Sequence, residues 1–468
     1  MIKTDNVRRA VMIPAMTIAL SACSLSEPYT PPEAALPAQF SEGGGDSIAN
    51  VAEVRWWEAL RDRQLDGFVS RGLAQNLDIQ AATERFNAAA AVAQGTGIAV
   101  GGGLNASGGV RGGSNDPEEE FAAGTVSVSW LADFFGLLSG QREVAAAELE
   151  AAGYGVEQTR LAFLAELSTA YVNARFFQND LELTRQNLAS RRTTLDLTQR
   201  LVDASVATTV DLQLARGLVD ETRAQIPRQE AQFRIQSHRI ATLLGAPASS
   251  LVPQMSRGAP QPIPRRIYSS GVPADLLRNR PDIRIAERRL AAAVARIGVA
   301  RADLYPSISL TGRITGEAGG ASLDETTWSF GPIVNLPIFG RRALEARVTE
   351  REALAREALA IWKNTVLRGV EEVENALVSL NRSRQTAEAE QRAVETLEEA
   401  LRLAQESYSR GERSVLDVLD AERRVGAARS RFAQAQRQLA IDFISLNVAI
   451  GSGRGLSPSV EGEGTGES

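Results

Sequence analysis

The sequence predicts a mainly α-helical fold that carries two β-hairpins and is built from two tandem repeats of one unit. Two very long stretches, about 141–203 and 342–409, have a helical pattern with only isolated glycines. Two Gly-rich stretches alternate apolar and polar residues with a period of two, which is typical of strands with one apolar face. Motifs also recur, since residues 210–212 (Val-Asp-Leu) match residues 416–418 (Leu-Asp-Val), 206 positions further on. A duplicated unit of helix, hairpin and long helices therefore accounts for most of the chain.

Residues 1–22 are predicted to be an export signal that ends immediately before Cys23. A positively charged start precedes an apolar stretch about half as long as the ~20 residues that a membrane-spanning helix needs. Residues 20–23, Leu-Ser-Ala-Cys, resemble the lipobox of bacterial lipoproteins, in which the cysteine is acylated and the chain is cut just before it. We therefore expect a covalent lipid on Cys23, an acylated segment over 23–60, and no other cofactor. The alternative is a buried free cysteine behind an ordinary signal peptide.

Two repeats are predicted, over residues 61–250 and 274–450. The linker between them, 251–273, contains five prolines, which favour an extended backbone that is neither a helix interior nor a central strand. Residues 451–468 are rich in Gly, Ser and Glu, and this composition predicts a disordered tail.

Each repeat opens with a shorter helix, predicted at about 61–95 and 274–303, and continues into a hairpin. The predicted strands cover about 104–110, 125–131, 307–314 and 327–336. Between the strands, residues 112–120 and 316–325 are polar and rich in turn-forming residues, so we expect exposed loops there.

The long helices that follow carry a seven-residue apolar repeat. Its members are Leu181, Leu188, Leu195 and Val202 in the first repeat, and Ala387, Val394, Leu401 and Tyr408 in the second. Such spacing predicts supercoiled packing against other helices. At 1.5 Å per residue, each helix is on the order of 90 to 100 Å long.

Composition excludes several classes of site. One His and one Cys provide too few ligands for a multi-His metal cage, a zinc ribbon or a disulfide framework. His238 has no partner for a catalytic triad, and the glycines of 95–103 are not followed by the Gly-Lys-Ser/Thr of a phosphate loop. A net charge of −6 argues against a general nucleic-acid binder. We therefore expect neither an enzyme nor a metal site.

Two long segments resemble a known family. Residues 53–85 and 277–312 are similar to the two repeat openings of TolC-like outer-membrane efflux channels, particularly their lipid-anchored, NodT-type branch. The resemblance implies a homotrimer, in which each chain gives four strands to one twelve-stranded transmembrane β-barrel that continues into a periplasmic α-helical barrel. Bare strand edges are not tolerated in lipid, so four strands need further subunits if they enter a membrane. Ser24, in place of the Asp that resembles an inner-membrane retention signal, points to the outer membrane.

The resemblance also implies a gate where the helical tunnel closes. Asp417 and Asp420, three residues apart on one helix face, match the family's pore-constricting acids. Leu416 matches an apolar constriction, and Arg423 matches a nearby salt-bridge former. Three subunits would place six carboxylates around one opening, where like charges raise each other's pKa and attract cations. The alternative is that Asp417 is a helix-start acid and Asp420 a solvated surface residue.

In the same family the closed state is held by contacts between the two helix pairs. By resemblance these contacts are Tyr408 with Asp211, and Arg413 with the backbone or side chain near Val210. Some relatives have a hydroxyl side chain where this chain has Val210, which weakens the second contact. Opening would be an outward, iris-like rotation of the second helix pair.

Three functions are consistent with the sequence. The favoured one is a passive outer-membrane exit duct of a tripartite efflux system, with a periplasmic adaptor and an inner-membrane RND-type pump as partners. The adaptor is expected to touch the turns at 203–209 and 410–414. The alternatives are an exit channel for type I-like protein secretion and a structural lipoprotein that spans the periplasm. After signal cleavage Met255 and His238 are the only Met and His, so no soft-ligand ladder for copper or silver is present.

Overall fold

The structure is a computed structural model that describes residues 29–43, 51–113, 116–265, 271–319, 325–410 and 412–455. The predicted signal and the lipidation site at Cys23 lie outside the described residues. No helix in the described ranges is long and apolar enough to cross a membrane.

The helices and strands follow the predicted order twice. The helices are α1 Arg63–Gln75, α2 Leu77–Gly95, α3 Leu137–Asp203, α4 Thr209–Leu243, α5 Val252–Met255, α6 Leu276–Asn279, α7 Pro281–Ala302, α8 Arg341–Ser409 and α9 Val415–Ala449. The strands are β1 Val100–Gly113, β2 Asp116–Ala132, β3 Ser307–Ala318 and β4 Glu325–Asn335. Short 3₁₀ helices cover Trp56–Leu60, Ala248–Leu251 and Pro273–Asp275. The mainly helical fold with four strands is confirmed.

The four strands form one antiparallel sheet in the order β1-β2-β3-β4. Leu104 pairs with Val126, Val126 with Ile314, and Ile314 with Trp328. Paired residues of an antiparallel sheet lie on the same face, so these apolar side chains form a row across one face. On the other face the hydroxyls of Thr125 and Thr315 are 3.0 Å apart. The sheet therefore has one apolar and one polar face.

Both hairpins are longer than predicted. Arg111 pairs with Glu119, and Glu317 pairs with Glu325, inside the two stretches expected to be exposed loops. The prediction of loops was therefore wrong for the described residues of 112–120 and for 316–318 and 325, while 114–115 and 320–324 lie outside the described residues. Backbone pairing depends on main-chain groups, so polar and glycine-rich sequence does not end it.

Each opening helix is broken once, where a single helix was predicted. Asn76 has an extended backbone, and its side-chain oxygen accepts a hydrogen bond from the Ile79 N–H (2.9 Å). Arg280 is also extended, because the following proline disfavours a helical conformation. Both breaks are tied to the last helix of their own repeat. The Asn76 amide donates to the carbonyl of Leu243 (2.9 Å), and the Arg280 guanidinium donates to the carbonyl of Ala449 (2.8 Å).

The linker is not wholly extended, which corrects the prediction for 251–273. Pro253 lies in the first turn of α5, where its missing N–H costs no intrahelical bond. The fully buried Arg175 of α3 holds this segment, because its guanidinium donates to the carbonyls of Met255 (3.2 Å) and Arg257 (3.0 Å).

The predicted disordered tail begins too early. Residues 451–455 form a turn, and Ser452 is buried. The N–H of Gly453 donates to the carbonyl of Val51 (3.0 Å), and the indole N–H of Trp56 donates to the carbonyl of Ser452 (3.2 Å). The prediction of disorder was wrong for these five residues, and 456–468 lie outside the described part of the chain.

The chain divides into two compact units, each made of several segments. The strand unit takes the described parts of 1–34, 85–153 and 285–364, and it contains the sheet. Within it the rings of Phe135 and Tyr305 stack at 4.9 Å. The helix-end unit takes the described parts of 35–84, 154–284 and 365–468.

In the helix-end unit the buried positions of α3 are more polar than the predicted leucine repeat. Leu188 is buried, but Leu181 and Leu195 are only partly buried. The other positions that are buried in this part of α3 are hydroxyl side chains: Thr184, Thr194 and Thr198. Threonines at these positions leave hydrogen-bonding groups inside the helix contacts.

Candidate gate at the helix ends

Each long helix ends at a short turn, and the helix that follows begins with a capping box. Thr208 caps α4: its hydroxyl accepts from the Asp211 N–H (3.2 Å) and donates to the Asp211 carboxylate (2.7 Å). Ser414 precedes α9 as Thr208 precedes α4: its N–H (3.2 Å) and its hydroxyl (3.4 Å) donate to the Asp417 carboxylate, whereas the Asp417 N–H donates to the Ser414 carbonyl (3.2 Å). Such caps satisfy N–H groups that a helix start leaves open. The two turns are thus equivalent in both repeats.

Asp417 lies in the first turn of α9, as expected from the alternative interpretation in which it is a helix-start acid. Its side chain is exposed, and one carboxylate oxygen is engaged by Ser414. Asp420 is paired instead with two arginines, because Arg423 donates to it at 2.7 Å and Arg424 at 2.6 Å. Hydrogen bonds from these arginines lower the pKa of Asp420 below its ordinary value.

Arg424 was not predicted from the sequence, although its spacing from Asp420 indicates an ion pair. It follows Asp420 by four residues, which places both on one face of α9. Asp420 therefore carries a local counter-charge from two guanidinium groups, so the two acids differ in their surroundings within one chain.

Tyr408 and Asp211 are near each other but not hydrogen-bonded within the described part of the chain, so their predicted contact stays a prediction. The Tyr408 hydroxyl is buried and has no hydrogen-bond partner among the described residues. Burial, and then the negative charge of Asp211, raise the pKa of Tyr408. The Asp211 carboxylate is instead taken by Thr208, whose hydrogen bonds lower its pKa.

A cavity of about 760 Å³ lies between the two turns and is lined by Tyr408, Asp211, Arg413 and Leu416. Arg413 is exposed and forms no ion pair or hydrogen bond within the described ranges. Within the described part of the chain, Arg413 therefore forms no hydrogen bond near Val210, and their predicted contact stays a prediction. Leu416 is 47% exposed and Val210 is 65% exposed, so both turns present apolar side chains to the outside.

Among the described residues, no three His, Cys, Asp or Glu side chains lie close enough together to hold a metal ion. His238 lies within α4 and belongs to no such cluster of described residues. The site is thus made of helix caps, ion pairs and exposed apolar residues.

The fold and these paired helix ends define a channel of the TolC-like type. The model of the family described as "Outer membrane efflux protein" matches residues 68–246 and 272–452. The chain belongs to this family, and the two matched segments correspond to its two repeats.

Individual relatives agree with this assignment. The chain is 42% identical to nodulation protein T of Rhizobium leguminosarum bv. viciae, over 94% of this chain and 92% of the relative. It is 29% identical to the toluene efflux pump outer membrane protein TtgF of Pseudomonas putida, over 94% and 96%. The solved structure of the outer-membrane channel OprN superimposes with a TM-score of 0.84 at 30% identity, covering 93% of this chain and 100% of that one.

Proposed function

We propose that this protein is the outer-membrane exit duct of a tripartite efflux system, through which small molecules leave the cell. The observation that carries the proposal is the open four-stranded sheet with one apolar and one polar face. Its edge strands β1 and β4 have no partner within the described chain. Three chains would pair these edges and close a twelve-stranded barrel, with apolar residues facing lipid and polar residues facing the lumen.

The partners follow from the same assignment. A duct without chemistry of its own needs an energised pump, and relatives include an efflux pump component for toluene. A periplasmic adaptor and an inner-membrane RND-type pump are the proposed partners, with the adaptor contacting the two turns. An amphipathic sheet has no use in a periplasmic scaffold, and the relatives named above give no support to protein secretion.

Anchoring and location are part of the proposal. A lipid on Cys23 would hold the chain to the outer membrane, while the helices extend into the periplasm. The lipobox-like sequence at 20–23 supports this.

The gate is proposed to form between subunits. Leu416 and Asp417 are exposed in the single chain, and Arg413 has no intrachain partner in the described ranges. Around a threefold axis Leu416, Asp417 and Asp420 would constrict the opening, with Arg423 as the counter-charge. Arg413, Tyr408 and Asp211 would hold neighbouring turns together, because the first two have unused hydrogen-bonding groups.

Purified, lipidated protein tests the proposal in planar bilayers. We expect a heat-sensitive trimer on gels, single-channel currents, and restored resistance to toxic small molecules in a deletion strain. Cys23→Ala is the matched control: it should lose acyl labelling but keep the trimer. A monomer that gives no conductance would refute the proposal.

A further inference from the structure

Glu422 is a buried acid outside the proposed gate. It lies on α9, is 8% exposed, and faces α3. One carboxylate oxygen accepts hydrogen bonds from the hydroxyls of Ser190 (2.8 Å) and Thr194 (3.0 Å). These donors are four residues apart on one face of α3. The other oxygen is buried and has no hydrogen-bond partner in the described chain.

Among the described residues, no cation compensates the Glu422 carboxylate. Glu422 forms no ion pair within the described ranges, and its helix neighbours Arg423 and Arg424 are both engaged by Asp420. Across the contact, Arg191 of α3 donates elsewhere, to the carbonyl of Leu218 (3.0 Å). Burying a carboxylate that has only neutral donors is costly, because they replace its hydration only in part.

The same two helices touch at further points, which we name the α3–α9 seam. Ser430 donates to Asp180 (3.1 Å), and the guanidinium of Arg437 lies 4.5 Å from the centre of the Phe176 ring. A Cβ placed on Gly426 would lie only 3.1 Å from the Asn187 amide nitrogen. The backbone of α9 therefore approaches α3 closely, and the seam keeps solvent from Glu422.

The first repeat does not have this acid. The equivalent position, 206 residues earlier, is Arg216, which is exposed and donates to Gln199 (3.2 Å). The buried carboxylate thus belongs to the second repeat alone. The second helix pair, α8 with α9, is also the pair that would rotate outward on opening.

We propose that Glu422 is a positioning residue that weakens the α3–α9 seam, so that the two helices separate more readily. Moving α9 away from α3 rehydrates both carboxylate oxygens. The hydration free energy gained in this way offsets part of the packing free energy that is lost on opening. The closed state is therefore held less tightly than an apolar seam would hold it. The inference rests on the proposed function, since it needs a gate that opens by motion of α9.

The proposal makes opposite predictions for two kinds of variant. Glu422→Gln keeps the shape and removes the buried charge, so it should lower spontaneous channel opening by roughly tenfold and raise the Tm of the trimer. Ser190→Ala with Thr194→Val keeps the carboxylate but removes its donors, so opening should rise by a similar factor. Glu395→Gln, an exposed acid on α8, is the matched control and should change neither.

Single-channel recordings of the four proteins decide between the outcomes. If Glu422 were a simple latch, both kinds of variant would open more often, and the inference would be wrong. Unchanged opening of Glu422→Gln would overturn it as well. A wild-type protein that never conducts would instead refute the proposed function. Trimer bands on gels show that each variant is folded.

Discussion

Arg175 offers a direct test of how the linker is held against the first repeat. The side chain is fully buried and reaches five acceptors. They are the Tyr171 hydroxyl (3.0 Å), the Gln178 and Gln64 amide oxygens (2.5 Å each), and the carbonyls of Met255 (3.2 Å) and Arg257 (3.0 Å). Its guanidinium also lies 5.1 Å from the centre of the Tyr171 ring.

Replacing Arg175 by Met keeps the apolar stem and removes every donor. Each acceptor that stays buried without a partner costs about 1–3 kcal/mol. The Arg257 carbonyl loses its donor, the Met255 carbonyl keeps only the Gln178 amide at 3.4 Å, and the contact to the Tyr171 ring is lost. We therefore expect the folded state to be destabilised by roughly 3–5 kcal/mol. Both carbonyls belong to the linker, so its local opening should increase most.

The assay is thermal unfolding of the purified protein, followed by circular dichroism, together with limited trypsin digestion. We expect a lower Tm and faster cleavage after Arg257. Arg185→Met is the matched control, because Arg185 forms an exposed ion pair with Glu230 (2.9 Å), and such pairs contribute about 0–1 kcal/mol. Equal effects of the two substitutions, or an unchanged cleavage rate at Arg257, would contradict the reasoning.

Three further predictions concern the helix ends. Asp417→Ala with Asp420→Ala should give a leaky channel, since both ring acids are lost; unchanged conductance and unchanged sensitivity of cells to large antibiotics would contradict the gate assignment. Val210→Thr adds a hydroxyl beside the turn that Arg413 is proposed to contact, so opening should become rarer; Val210→Ala serves as the control, and equal currents would count against that contact. The lowered pKa of Asp420 means that it stays ionised until the pH falls through that lowered value. Cation block that depends on Asp420 should therefore persist below the ordinary pKa of aspartate, and block lost at that ordinary value would argue against the arginine pairing.

The long helices were readable from the sequence because strong local signals mark their ends. The predicted ends at 203 and 409 agree with the structure, and the predicted starts at 141 and 342 differ from Leu137 and Arg341 by four residues and one. Gly136 and Gly340 adopt positive φ (79° and 81°) immediately before these helices, a conformation that glycine accepts readily. Glycines that precede a helix can be recognised in the sequence without any knowledge of tertiary contacts.

Long-range contacts account for what the sequence did not predict. The ordered turn at 451–455 depends on carbonyls of Val51 and Ala52, about 400 residues away in the chain. Nothing near Glu422 in sequence indicates that Ser190 and Thr194 will cover it. In the candidate gate, spacing identified the acids and one interpretation placed Asp417 at a helix start, but the sequence did not show that Asp420 pairs with two arginines.

The two breaks in the opening helices show what a duplicated protein can change and what it keeps. At equivalent places Asn76 and Arg280 each tie the start of a repeat to the end of its own last helix. The donors differ in size, charge and reach, but in both cases the acceptor is a main-chain carbonyl. A side-chain substitution cannot remove a carbonyl from the backbone. The donor could therefore differ between the repeats, an amide in the first and a guanidinium in the second, while both repeats kept the hydrogen bond that joins their start to their last helix.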